Sequence, residues 1–231
     1  MLKVIIADSR MPEKAKITLE SLGNVYWLEP QDFVYESIAA HPDIFFFQHK
    51  NGLIVAPNTP EKWIRDLKKQ GVCIEKGIKP LGKHYPETVF YNAVASGNKL
   101  IHNIKLTDET ILNHFKKPNR IAVKQAYTRC NLIALNATNY ITSDRNIQKK
   151  LEQQGFDVFF INPQQIVLPH HEYGFFPGCC GFFDHTLFVC GNIEQLAEKE
   201  AFEIFLKKND CQYINLYDGV LTDVGSVFFV L

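Results

Sequence analysis

Two short stretches carry the side chains best suited to covalent chemistry. The segment TRCN places Arg129 directly before Cys130, and the segment GCCG contains the adjacent pair Cys179 and Cys180. A neighbouring guanidinium favours the nucleophilic thiolate form of a cysteine, so Cys130 or Cys180 is a candidate nucleophile. The alternative interpretation is that these small thiols only fill a tightly packed centre.

Carboxylates and small polar side chains occur at comparable places elsewhere in the chain. Asp43 lies in HPDIF, Asn92 in ETVFYN, and both Asp223 and Ser226 in TDVGSVF. The two carboxylates could bind a cationic group, on which tyrosine rings could stack. The candidate ligand-binding residues are therefore Asp43, Asn92, Arg129, Cys130, Cys179, Cys180, Asp223 and Ser226.

Metals and cofactors are not expected. His170 and His171 are adjacent, and neighbouring residues of an extended strand point to opposite faces, so this pair is badly placed to share an ion. The cysteines show no CxxC spacing, and no glycine-rich motif for binding nucleotide phosphates occurs. We therefore expect neither a metal site nor a cofactor.

The elements that must position these residues form a repeating pattern. Four segments consist of an apolar run, a turn and a second apolar run: DIFFFQHKNGLIVAPN, ETVFYNAVASGNKLIHN, RCNLIALNATNYITSDRN and GCCGFFDHTLFVCGN. Each is typical of a β-hairpin, and each is followed by a helical pattern and another apolar strand. The unit is strand, strand, helix, strand, and it recurs about every 45 residues, a spacing typical of repeat architectures.

The two ends of the sequence supply a fifth unit in two pieces. SVFFVL has the pattern of a first strand, and MLKVIIADSR has that of a second strand, followed by a helix and a third strand. We therefore predict an α/β fold in which residues 1–231 form a single domain, a closed five-unit ββαβ propeller whose fifth unit is split between the N- and C-termini. An open α/β sheet is the alternative, but it needs no split unit and leaves sheet edges exposed.

An Asp or Asn follows the second strand of every unit. The side-chain oxygens of such residues accept hydrogen bonds from the first free amides of a helix, so we expect five turn or helix-capping residues. The alternative is a set of five ligands around the axis. These residues are Asp8, Asn58, Asn103, Asp144 and Asn192.

Five such units resemble the guanidino-group-modifying superfamily, the penteins. That group includes arginine deiminases, dimethylarginine hydrolases, agmatine deiminases and amidinotransferases. The segments YPETVFYNAVASGNKLI and DGVLTDVGSVFFV are similar to segments of the dimethylarginine hydrolases, and the final DVGS motif resembles an uncharacterised branch of the superfamily. The resemblance implies a site on the propeller axis, where the first strands begin.

The residues that carry out the superfamily's reaction are not found at the matching positions. In the enzymes a cysteine of the last segment attacks the guanidinium carbon, whereas here Gly225 precedes Ser226 and LTDVGSVFFVL contains no cysteine. The enzymes' acidic pair corresponds to Tyr91 and Asn92, and their histidine has only the displaced candidate His171. Because guanidine chemistry needs a nucleophile, a carboxylate and an acid–base group together, we do not expect the usual reaction at the usual place.

Three functions therefore remain open. The first is binding of a small, guanidino-like or otherwise cationic ligand at the axis without the usual cysteine chemistry. The second is a non-enzymatic propeller that binds other proteins, for which the ribosome anti-association factors are a precedent within this fold. The third is a guanidino-modifying enzyme with Cys130 or Cys180 as a relocated nucleophile.

Composition narrows the range of partners. Lys and Arg total 25, as do Asp and Glu, so the formal net charge is zero. Balanced charge gives no reason to expect a nucleic acid or an anionic membrane as partner. The cysteines show no paired spacing, and MLKVIIADSR lacks a signal-peptide core. We therefore predict a cytoplasmic protein. The sequence does not predict an oligomeric state.

Overall fold

Fifteen β-strands form five separate three-stranded sheets in the computed structural model, which describes residues 2–231. In every sheet the first strand of a unit pairs antiparallel with the second, and the second pairs parallel with the third. The strands are β1 (Val4–Asp8), β2 (Val25–Leu28), β3 (Phe46–His49), β4 (Gly52–Val55), β5 (Ile74–Lys76), β6 (Val94–Ser96), β7 (Lys99–His102), β8 (Arg120–Ala122), β9 (Leu132–Ala134), β10 (Asn139–Thr142), β11 (Asp157–Phe160), β12 (Cys180–Phe183), β13 (Thr186–Val189), β14 (Gln212–Asn215) and β15 (Phe228–Val230).

A helix joins the second strand to the third in each unit, and two further short helices precede first strands. The joining helices bury an apolar stripe against their sheets, as α3 does with Trp63, Ile64 and Leu67 at the predicted helical spacing. Within residues 2–231, no helix is long and apolar enough to span a bilayer. The helices are α1 (Glu13–Leu22), α2 (Pro42–Phe45), α3 (Glu61–Lys69), α4 (Glu109–Asn113), α5 (Thr128–Asn131), α6 (Arg145–Glu152) and α7 (Lys199–Lys208).

The split fifth unit is confirmed by the pairing of β15 with β1. Val4 lies opposite Val230 and Ile6 lies opposite Phe228, and the same sheet continues through β2. All four of these side chains are buried. The two ends of the sequence therefore build one sheet; Met1 itself lies outside the described residues.

Contacts between neighbouring units close the fold around an axis. The first strands β3 and β6 contact each other, as do β6 and β9, and β12 and β15. Helix α5 contacts the short 3-10 helix Phe176–Cys179 that precedes β12. Gln48 of β3 donates a side-chain hydrogen bond to the carbonyl of Phe229 in β15, at 2.6 Å. The predicted closed five-unit ββαβ fold is thus confirmed.

Two of the five predicted turn or cap residues cap a helix. Asp144 accepts hydrogen bonds from the first amides of α6, and Asn192 caps a 3-10 helix. Asp8 acts at a turn instead, where its carboxylate accepts from the backbone N–H of Arg10 and pairs with the arginine side chain. Asn58 and Asn103 cap no helix, and their side-chain amides bind loop carbonyls. Loop length after the second strand decides whether the residue reaches a helix end.

Truncating Phe229 tests how much the split unit contributes to stability. Its ring is 4% exposed and its centroid lies 4.7 Å from that of Phe188. Phe229→Ala should lower the free energy of unfolding by about 3–5 kcal/mol, because a buried aromatic leaves a large cavity. Ile204→Ala truncates a side chain that is 70% exposed and should change the free energy of unfolding by less than about 0.5 kcal/mol. Urea unfolding measures the free energy of unfolding of both variants. A loss in Phe229→Ala as small as that in Ile204→Ala would show that β15 does not hold the ring closed.

Candidate functional site

The residues that precede the first strands meet at one end of the axis. Short helices place Asp43 and Arg129 there, and the segments before β6 and β15 place Asn92 and Ser226 beside them, so that four units contribute one residue each. Asp223 lies close to them. We call these five residues the axial cluster. The structure thus brings these five sequence-predicted site residues close to one another.

Hydrogen bonds join the axial cluster across unit boundaries. The Ser226 hydroxyl donates to Asp43 Oδ2 at 3.0 Å. The Asn92 side chain donates to the Asp43 carbonyl at 3.0 Å, and its Oδ1 accepts from the Arg129 backbone N–H at 2.7 Å. Both the NH2 group and the oxygen of the Asn92 side chain therefore bind the backbone of neighbouring units.

Asp223 lies close to the axis but is closed to a ligand. One carboxylate oxygen accepts from the backbone N–H of Phe175 at 2.9 Å, and the other accepts from that of Gly225 at 3.0 Å. The side chain packs against Gly178, where an added Cβ would collide with the carboxylate. The expected cation-binding role of Asp223 therefore lacks an open approach.

The segment that carries the nucleophile in the penteins is packed shut here. Gly225 has a φ of +68°, and a Cβ at this position would collide with His41. Ser226 also has a φ of +68° and is completely buried, so its hydroxyl is held against Asp43 rather than presented to a substrate. Position 225 therefore requires glycine, because His41 lies too close to leave room for a Cβ.

Burial keeps the candidate thiols protonated. Cys130, Cys179 and Cys180 are buried, and this desolvation raises the pKa of each thiol well above its ordinary value. The guanidinium of Arg129 acts in the opposite direction on Cys130 and Cys180, but its effect is smaller. The expected activation of a thiol by Arg129 is thus outweighed, which counts against a relocated nucleophile.

The two axial carboxylates are also desolvated. Burial raises the pKa of Asp43 to about 6 and that of Asp223 to about 7, and the charge of Arg129 only partly offsets this. Asp43 Oδ1 is buried without any hydrogen-bond partner. Within residues 2–231, no group of three or more His, Cys, Asp or Glu side chains could hold a metal ion.

A cavity of about 980 Å³ enters the axis from the opposite end. Residues of all five first strands line it, and its opening lies at the hairpin turns Lys50–Asn51 and Gly97–Asn98. Its size is that of a site for a small organic molecule. Of the eight sequence-predicted site residues, Arg129 lines this cavity and the other seven do not.

Sequence reasoning missed the residues at the open end. The lining residues His49, Lys50, His114 and Lys116 lie at or beyond the far ends of the strands, away from the predicted site. One signal was available, because strands that meet around an axis must enclose space along their whole length.

The same fold occurs in several solved structures. An amidinotransferase of saxitoxin biosynthesis from Microseira wollei is 13% identical, with a TM-score of 0.59, over 100% of this chain and 94% of its own. An agmatine deiminase from C. jejuni is 10% identical, with a TM-score of 0.58, over 95% and 90%. A mutant dimethylarginine dimethylaminohydrolase (DDAH) from Pseudomonas aeruginosa, complexed with citrulline, is 12% identical, with a TM-score of 0.57, over 93% and 92%. The chain therefore has the pentein fold, as the sequence resemblance predicted.

Within that fold the sequence has a defined family. Residues 6–228 match the Family of unknown function (DUF6873), so the chain belongs to this family. No curated protein matches the sequence at a significant level.

Removing the charge of Asp43 should change how stability depends on pH. Because its pKa is raised to about 6, the folded protein retains a proton that the unfolded chain releases near its ordinary pKa of about 3.9. The contribution of Asp43 to stability therefore falls as pH rises from about 4 to about 6, and is then constant. Asp43→Asn cannot ionise, so its stability relative to the parent protein should rise across this interval.

Urea midpoints at several pH values measure this difference. Asp184→Asn, at an exposed turn, is the matched control and should run parallel to the parent protein. A parallel profile for Asp43→Asn would mean that folding does not raise the pKa of Asp43.

Proposed function

We propose that the protein binds a small molecule in the axial cavity and does so without thiolate chemistry. The observation that carries this proposal is the placement of the cavity, which all five first strands enclose and which none of the buried thiols Cys130, Cys179 and Cys180 lines. A ligand that enters from the hairpin turns reaches Arg129 at the inner end of the cavity. Cys130 and Cys180 do not line its path.

The charge of the lining bears on the expected cationic or guanidino-like ligand. The carboxylates meant to hold such a ligand, Asp43 and Asp223, are buried in the axial cluster. The cavity itself presents Lys50, Lys116 and Arg129. Like charges repel in a poorly solvated space, so this cavity suits a guanidinium badly.

Filling the cavity tests the proposal. Ala95 of β6 lines the cavity, and Ala95→Phe would occupy part of its volume. Thermal unfolding is followed with a panel of organic acids, amines, amino acids and guanidino compounds. Any compound that raises the midpoint of the parent protein should fail to do so with Ala95→Phe. Ala201→Phe, on the exposed side of α7, should behave like the parent protein.

Two outcomes would overturn the proposal. One is a panel in which nothing stabilises the parent protein, and the other is stabilisation that persists in Ala95→Phe. The same samples should release neither citrulline nor ammonia from arginine or agmatine. Turnover that disappears in Cys130→Ala or Cys180→Ala would instead support the relocated nucleophile.

A further inference from the structure

Arg129 has a guanidinium that no protein acceptor satisfies. Among residues 2–231 the guanidinium forms neither an ion pair nor a hydrogen bond, and Nη1 is buried without a partner. The backbone of Arg129 is fixed by Asn92, and the guanidinium Cζ lies 5.4 Å from the ring centroid of Phe228. Arg129 is half-buried and lines the cavity, so its guanidinium brings N–H donors without a protein acceptor to the cavity wall.

An unpaired guanidinium in such a place is costly. Burial of a charge without a partner is unfavourable, and native structures satisfy buried donors with an acceptor, water or a ligand. Among the carboxylates, Asp43 has the largest charge effect on the pKa of Arg129, which it raises without forming an ion pair with the guanidinium. The vacant donors thus mark a position suited to an anionic acceptor.

The rest of the lining has the same sign of charge. Lys50 and Lys116 lie near the opening, together with His49 and His114, and no Asp or Glu side chain within residues 2–231 lines the cavity. Glu75 binds His114 at 2.7 Å but is not itself part of the lining. Leu231 also lies at the wall and its side chain is exposed.

The walls between the two ends are apolar. Leu132, Ile133, Phe182, Val227 and Val230 line them. An anion with a hydrocarbon body satisfies both features, because its head accepts from Arg129 while its body covers these side chains. Inorganic phosphate fits less well, because it has no apolar body to cover these side chains.

We propose that the axial cavity binds a small organic acid, whose carboxylate accepts hydrogen bonds from the Arg129 guanidinium and whose apolar body packs against the first strands. This assignment rests on the proposed function and names the ligand class for the same cavity. Recognition is set by one internal arginine, with Lys50 and Lys116 attracting the anion at the opening.

Three six-carbon probes with the same body separate the head-group contribution. Hexanoate, 1-hexanol and hexylammonium differ in charge at one end and are titrated into the full chain at constant ionic strength. Thermal shift and calorimetry should show saturable binding of hexanoate, with at least tenfold weaker binding of the alcohol and the amine. Inorganic phosphate alone should produce no saturable shift. Binding of phosphate tighter than that of hexanoate would overturn the organic-acid assignment.

Arg129→Met removes the donors while keeping an apolar side chain of similar length. The side chain makes no protein hydrogen bond, so its loss leaves no acceptor unpaired and the variant should melt cooperatively. Hexanoate should bind it at least tenfold more weakly, because a charge-assisted pair is lost. Arg65→Met, at an exposed position of α3, is the matched control and should bind like the parent protein. Lys116→Gln should weaken binding about two- to fivefold.

The outcomes separate this inference from the function on which it rests. Equal binding of 1-hexanol or hexylammonium, blocked by Ala95→Phe, would overturn the acid assignment and leave the axial binding site intact. Unchanged hexanoate binding in Arg129→Met would also overturn the assignment, even if that binding is blocked by Ala95→Phe. Stabilisation of the parent protein by none of the three probes, when other panel compounds stabilise it, would overturn the assignment alone.

Discussion

The hydrogen bond from Ser226 to Asp43 ties the last unit of the fold to the first, and the architecture of the axis depends on it. Both groups are fully buried, so water cannot replace the bond if it breaks. Asn92 extends the link by binding the Asp43 carbonyl and the Arg129 backbone N–H. Ring closure at this end of the axis thus uses the polar residues that a catalytic site would otherwise present to substrate.

A catalytic pentein site would require a reactive thiol and an accessible volume at the same place, and here the two are apart. The thiols do not line the cavity and their burial disfavours the thiolate, whereas the accessible volume lies at the hairpin end. Arg129 alone belongs to both parts, because its backbone is held in the cluster while its guanidinium lines the cavity. The fold therefore supports recognition of a ligand more readily than attack upon one.

Much of the architecture was predictable because hairpin, helix and strand patterns are local and repeat five times. The split unit followed from the apolar run that ends at Val230, and the meeting of Asp43, Asn92 and Ser226 followed from the repeat. Burial was not predictable in the same way. Whether Asp223 faces a pocket or the backbone amide of Gly225 depends on the close packing of separate segments, which no local pattern encodes.

The central claim is that the axis is closed at the axial cluster and open at the hairpin turns, and thiol accessibility measures this most directly. Ser226→Cys places a thiol in the cluster, and Ala95→Cys places one in the cavity wall. Each protein is treated with a small methanethiosulfonate, and modification of that site is followed by peptide mass spectrometry. The Ala95→Cys thiol should react at least about 100-fold faster, because reaction at position 226 requires opening of protected structure. Comparable rates at the two positions would contradict the account.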